Sequence, residues 1–254
     1  LGSDISYKLP WRLITFPFPF ISTFCNSPST NNLIIPPYSL NISIFFVTPS
    51  SFFAEMRKQH QVQDTLVYIE DLELVKKQLK GIVTFGGYND SLRRIDSLTP
   101  GEMLAKVKFR NGDSVLSGRQ EDFDWIGFVR YYPSEDILLL EGGHSSDYSI
   151  HLKTGEMGPT HVGNPAYITY SESKQFRLNG WFPGQECSSY FIQRKIGEEY
   201  KHYAEVPMHL SDEGFDLCTI KDVFWDADSV IYFRNTYYEI DHDDRLGFFK
   251  LVLK

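Results

Sequence analysis

The run WIGFVRYYPSEDILLLEGG at 125–143 decides the fold class, because aromatic and β-branched residues flank a polar cluster of Pro133, Ser134, Glu135 and Asp136. That order reads as strand, turn, strand. Two later stretches read the same way: NPAYITYSESKQFRLNGW at 164–181 turns at 171–174, and IKDVFWDADSVIYFRNT at 220–236 turns at 226–229. The turn residues readily bond their own backbone, and the runs between them suit a pleated sheet. A further strand follows each hairpin, at 147–156, 188–200 and 247–254. The unit is an antiparallel meander of three or four strands, repeated three times over 122–254. One parity of the hairpin strands is the expected core: Phe128, Leu138, Leu140, Ile168, Phe176, Leu178, Val223, Ile231 and Phe233.

Residues 1–121 read as an irregular, β-rich N-terminal region. Phe16, Phe18 and Phe20 alternate with Pro17 and Pro19, a pattern for a sheet edge or a strap across another surface. Strands are expected at 40–47 and 65–70. A short helix is expected near 71–80, with Asp71 as its cap, Leu72, Val75 and Leu79 on one face and Gly81 as its stop. A second helical turn is expected at Thr99-Pro100-Gly101-Glu102, followed by strands that turn at Asn111-Gly112. The chain is thus mainly β, with one or two short helices in its N-terminal half. At 254 residues it forms one continuous domain or two, split near 121.

Composition agrees with a globular β protein. Hydrophobic residues make up 42% and charged residues 23%, and the chain holds 20 Phe and 15 Tyr against Ala at only 54, 105, 166, 204 and 227. A net charge of −8 argues against nucleic acid as partner and suits a basic protein surface. Apolar residues 13–24 are broken by Pro17 and Pro19 and fall short of a membrane span. The start at Leu1, Gly2 and Ser3 fits a processed terminus, and removal of a signal peptide would mean a periplasmic or secreted protein. A cytoplasmic location stays open beside it. Cys25, Cys187 and Cys218 show no CxxC spacing. Cys187 and Cys218 lie in successive units and could pair in an oxidising compartment, but a buried free thiol is the expected state of each.

The three units resemble β-propeller blades of the WD-repeat-like or TolB-like kind. The matching residues are Asn164-Pro165 with Tyr170-Ser171-Glu172-Ser173-Lys174, Trp225-Asp226-Ala227-Asp228-Ser229, and the Lys153-Thr154-Gly155-Glu156 turn. The resemblance implies stacked sheets with loop-lined faces. Three blades do not close a propeller, so residues 1–121 would supply the remainder, and a β-sandwich of meanders is the alternative.

The sequence holds no GxSxG, HExxH or GxGxxG and no complete EF-hand loop, which leans away from an enzyme. The 112–118 stretch between two glycines reads as a hairpin, and the acids at 222–244 as solvated turns and strand ends. No cofactor or metal is expected. The loop at 142–147 gathers His144, Ser145 and Asp147 on a flexible backbone, although such residues also serve turn geometry. Trp181, Phe182 and Gln185 sit in a Gly- and Pro-rich connection, where an aromatic residue either packs on a neighbouring unit or anchors a partner. These six residues are the expected binding set. Both loops follow the second strand of their hairpins, so they are expected on one face. The leading reading is a non-catalytic binding protein with a protein partner, for example immunity-type neutralisation of a basic toxin. The alternative is a hydrolase or carbohydrate-active enzyme with a loop-end His/Asp site.

Overall fold

The computed structural model describes residues 33–34, 41–59, 65–116, 126–185, 187–210, 215–236 and 247–254. All of these belong to one compact unit, Asn31–Lys254. In chain order the elements are β1 (Leu33–Ile34), β2 (Ile42–Phe46), α1 (Pro49–Met56), α2 (Leu72–Gln78), β3 (Val83–Asn89), β4 (Arg94–Asp96), β5 (Met103–Lys108) and β6 (Ser114–Leu116). Then follow β7 (Gly127–Tyr132), β8 (Ile137–Glu141), β9 (Asp147–His151), α3 (Pro159–Val162), β10 (Thr169–Tyr170), β11 (Phe176–Trp181), β12 (Ser189–Ile196) and β13 (Glu199–Val206). The last are β14 (His209–Leu210), β15 (Phe215–Asp216), β16 (Thr219–Trp225), β17 (Val230–Thr236) and β18 (Gly247–Leu253). The protein is mainly β, and its sheets are antiparallel. Among the described residues, no helix is long and apolar enough to cross a membrane.

Each hairpin of the C-terminal half belongs to a different sheet. β7, β8 and β9 continue a sheet ordered β4-β3-β5-β7-β8-β9, with β6 also paired to β5. β10 to β13 form a four-stranded meander of their own. β16, β17 and β18 continue into β2 and β1, so the N-terminal strands close onto the last strand of the chain. The hairpin turns fall at 133–136, 171–175 and 226–229, and one residue in each is left-handed: Asp136 (φ 53°), Lys174 (φ 57°) and Ala227 (φ 60°). The turns touch in sequence. Tyr170, beside the second turn, donates its hydroxyl to Glu135 of the first at 2.9 Å, and Ser173 N donates to Asp228 of the third at 2.9 Å.

Strand alternation fills two main cores. β2, β17 and β18 turn Ile42, Ile44, Ile231, Phe233, Phe249 and Leu251 toward Leu178, Tyr190, Ile192 and Val206 of the four-stranded sheet. The outer face of β17 and β18 is covered by α1, whose Phe52 is fully buried against Phe224, Tyr232 and Phe248. The other core lies under α2, where Val75 and Leu79 meet Leu104, Val107, Leu138, Leu140 and Ile150. Of the expected core, Leu138, Leu140, Ile168, Leu178, Ile231 and Phe233 are buried, while Phe128, Phe176 and Val223 are half-buried at core edges.

The N-terminal half differs from the expectation in several places. Asp71 caps α2 as expected, accepting from Glu73 N at 2.9 Å and Leu74 N at 3.1 Å. α1 was not foreseen, although Thr48 as cap and Pro49 at the first position are helix-start chemistry. No helical turn forms at 99–102. Thr99 O instead accepts from Gly87 N, and Gly101 lies so close to β3 that a Cβ there would meet Gly86 O at 2.4 Å. Tertiary contact with β3 outweighs the local capping signal. The expected strand at 65–70 reduces to a single bridge between Ile69 and Tyr131. The hairpin turn at Asn111-Gly112 forms, with Gly112 at φ 103°. The Phe16–Phe20 segment, Cys25, and Asp241, Asp243, Asp244 and His242 lie outside the described residues.

The expectation of free thiols is corrected. Cys187 and Cys218 form a disulfide, with a Cα–Cα distance of 4.3 Å. The pairing follows from the packing of the four-stranded sheet on the β16–β18 sheet, which brings the chain before β12 next to the chain before β16. Cys218 is fully buried there. The bond spans 31 residues, a loop for which the chain-entropy model gives about 3–4 kcal/mol. Reduction with dithiothreitol should lower unfolding stability by that amount in denaturant titrations, and equal stability with and without reductant would contradict the pairing.

Candidate functional site

Two strand connections, 142–147 after β8 and 181–185 around the end of β11, clasp one another. Asp147 N donates to Phe182 O at 2.8 Å, and Phe182 N donates back to Asp147 Oδ2 at 2.7 Å. The second carboxyl oxygen of Asp147 accepts from Asn164 Nδ2 at 2.9 Å. Burial pushes the Asp147 carboxyl above its ordinary value, against the pull of these Asn164 and Phe182 donors. Farther out, Gln185 Nε2 lies 2.8 Å from His144 Nδ1. An amide nitrogen only donates, so Nδ1 accepts and the neutral ring carries its proton on Nε2.

The clasp holds a strained turn. His144 and Ser145 are consecutive left-handed residues, at φ 60° and 61°, each costing about 1–2 kcal/mol without glycine. The opposing loop fits closely around them. Gly184 has φ 106°, and a Cβ there would meet His144 O at 2.6 Å, so glycine is required on both counts. Ser145 Oγ donates to Glu141 Oε1 at 3.3 Å.

All six residues of the expected binding set are therefore brought together. His144, Ser145 and Gln185 are exposed, and Asp147, Trp181 and Phe182 are half-buried. Trp181 ends β11 opposite Ser189, and among the described residues its indole N–H has no partner. No bond joins His144 to Asp147, whose oxygens are taken by Asn164 and Phe182. Among the described residues no group of three or more His, Cys, Asp or Glu is placed to hold a metal ion.

The other ends of β8 and β11 build a second, polar cluster that the sequence reading missed. Arg177, only 4% exposed, donates from Nη1 to Glu135 Oε2 and from Nε to Gln193 Oε1, both at 2.6 Å. Its guanidinium lies 4.1 Å from the centre of the Tyr200 ring. Burial and the neighbouring Glu135 carboxylate push the Tyr170 hydroxyl far above its usual range. Beside this cluster lies a cleft of about 190 Å³, bordered by His151, Arg177, Gln193, Tyr200, Lys201 and Glu156. His151 Nδ1 accepts from Thr154 N at 3.2 Å. Burial holds the His151 imidazole below its ordinary value, against the pull of Asp136, Glu156 and Glu135.

Arg177 and Gln193 stand on the parity opposite Leu178 and Ile192, which a half-buried strand would turn to solvent. The 133–136 turn and α3, lying over that face, make them interior. The one signal available was the mixture of Arg, Asn and Gln with apolar residues inside strands short enough to be buried on both faces.

Asp147→Asn should loosen the clasp, because an amide has one acceptor oxygen where the carboxylate meets two donors. The expected cost is about 1–3 kcal/mol at neutral pH, with faster amide exchange at Phe182. Unchanged stability and exchange would show that the two loops are not held through Asp147.

No protein-family model matches this chain, and no curated protein or solved structure does.

Proposed function

We propose that the chain is a non-catalytic binding protein that presents the joined surface of 142–147 and 181–185 to a protein partner. The observation that carries this reading is the clasp itself. It fixes exposed His144, Ser145 and Gln185 beside Trp181, a large side chain half in water with an indole N–H unpartnered among the described residues. A preorganised patch loses little entropy on association, and Trp supplies contact area with a polar handle. The net charge of −8 favours a basic partner by steering its approach, and neutralisation of a basic toxin is one form such binding takes.

The finer architecture that accompanies this reading is propeller-like. Its support is the side-by-side order of the three hairpin turns, through Tyr170 with Glu135 and Ser173 with Asp228. Loops from stacked meanders then leave on one side, as the clasped pair does.

Trp181→Ala tests the site. Partners captured by the intact chain and identified by cross-linking should bind the variant about 2 kcal/mol more weakly, while its thermal unfolding stays near that of the parent. A folded variant with unchanged affinity would contradict the role of Trp181. Destabilisation of about 3–5 kcal/mol would make it a core residue instead.

A further inference from the structure

The cleft beside Arg177 lies at the far ends of β8 and β11 from the clasp, and its floor is made of hydrogen-bond donors. The Arg177 side chain is 5% exposed, and a guanidinium carries five N–H groups. One goes to Gln193 and one to Glu135. The Tyr170 hydroxyl, itself bonded to Glu135, also lies against the guanidinium. Gln193 is 4% exposed, and its Oε1 accepts from both Arg177 Nε and Asn179 Nδ2. Both are obligate donors, which fixes the amide so that its NH2 is the unpartnered end. Because His151 Nδ1 accepts from Thr154 N, the neutral ring places its proton on Nε2, again without a partner among the described residues. All three side chains border the same cleft. None of these donors is sealed from water, since they open on the cleft, where the oxygens of a ligand would meet them.

The rim has the opposite character. Five carboxylates, Glu135, Asp136, Glu156, Glu198 and Glu199, border the cleft against Lys153, Arg177 and Lys201, with Asp136 also paired to Arg110 just outside it. Lys201 is already tied to Glu199 at 2.8 Å. A bare dianion such as phosphate meets this excess of negative charge. A ligand with an oxyanion at one end and a cation at the other does not. Ile137 and Val162 offer a small apolar contact between the two. The volume of about 190 Å³ suits a ligand of amino-acid size, below the roughly 300–1,000 Å³ of drug-sized sites.

We propose that this cleft binds a small zwitterionic amino acid, its carboxylate on the Arg177, Gln193 and His151 donors and its ammonium on the glutamates of the rim. The site is independent of the protein-binding surface at the clasp.

Titration of the full chain with glycine and L-alanine, followed by calorimetry and by the Arg177 side-chain NMR signals, tests the assignment. Acetate, ethylammonium and inorganic phosphate serve as partial probes. Saturable binding of L-alanine or glycine is expected, with each partial probe weaker by about tenfold or more, since a hydrogen bond to a charged group is worth at least that factor. Gln193→Glu keeps an oxygen for Arg177 and Asn179 but sets a carboxylate oxygen against the ligand, so it should lose binding by about tenfold or more while its unfolding midpoint holds. If that variant does not fold, His151→Asn, which retains an acceptor for Thr154 N, carries the same expectation. The proposal is overturned by no saturable amino-acid binding, by phosphate or acetate binding as tightly as L-alanine, or by a folded variant with undiminished affinity.

Discussion

The ion pair of Arg177 with Glu135 is the contact on which the arrangement of the sheets depends. It joins the first strand of one hairpin's return, β11, to the turn of the preceding hairpin, at 2.6 Å. Two charges removed from water lose several kcal/mol of hydration each, and the pair is tolerable only when the remaining donors and acceptors are met. Here Tyr170 satisfies the second oxygen of Glu135, Gln193 takes the Nε proton, and the Tyr200 ring covers the guanidinium. Such a pair adds little net stability over a well-packed apolar contact. It does set geometry, because Arg177 can meet Glu135 only with the 133–136 turn seated on the four-stranded sheet.

Once that end is fixed, the other ends of the same strands follow. β8 and β11 run from the ion pair to the clasp, so the register that seats Glu135 also brings Asp147 to Phe182 and His144 to Gln185. The two interfaces of the four-stranded sheet are unlike. Toward β2, β17 and β18 it is apolar, with Leu178, Tyr190 and Ile192 in a continuous core and the Cys187–Cys218 bond at its margin. Toward the 133–136 turn and α3 it is polar, through Arg177, Asn179 and Gln193. An apolar layer gives cohesion, and a hydrogen-bonded layer gives a single register. The polar layer also leaves a cleft.

Much of the fold was legible because its signals are local. Polar clusters at 133–136, 171–174 and 226–229 interrupt apolar runs, and each is a turn between paired strands. Asp71 and Gly81 bracket a real helix. The misreadings have a common cause. Thr99 to Glu102 has the residues of a helix start, but close approach to Gly86 and Gly87 decides its shape. Cys187 and Cys218 gave no motif, since their pairing depends on two sheets meeting. The loops of the clasp were legible as polar segments following equivalent strands. Arg177 and Gln193 were not, because a polar residue at an alternate strand position looks solvent-facing until something covers it, and Glu135 was legible only as a turn residue.

A double-mutant cycle on Arg177→Met and Glu135→Leu tests the central role of the ion pair most directly. Glu135→Leu strands the buried Arg177 guanidinium and should cost about 3–5 kcal/mol in denaturant unfolding, and Arg177→Met, which leaves the half-buried Glu135 unpaired, should cost less. The double variant, with both charges replaced by apolar groups, should recover most of that loss, a coupling of about 2 kcal/mol or more. Additive single effects, with coupling near zero, would contradict the account, since Arg177 and Glu135 would then contribute independently and the seating of the first hairpin on the four-stranded sheet would rest on something else.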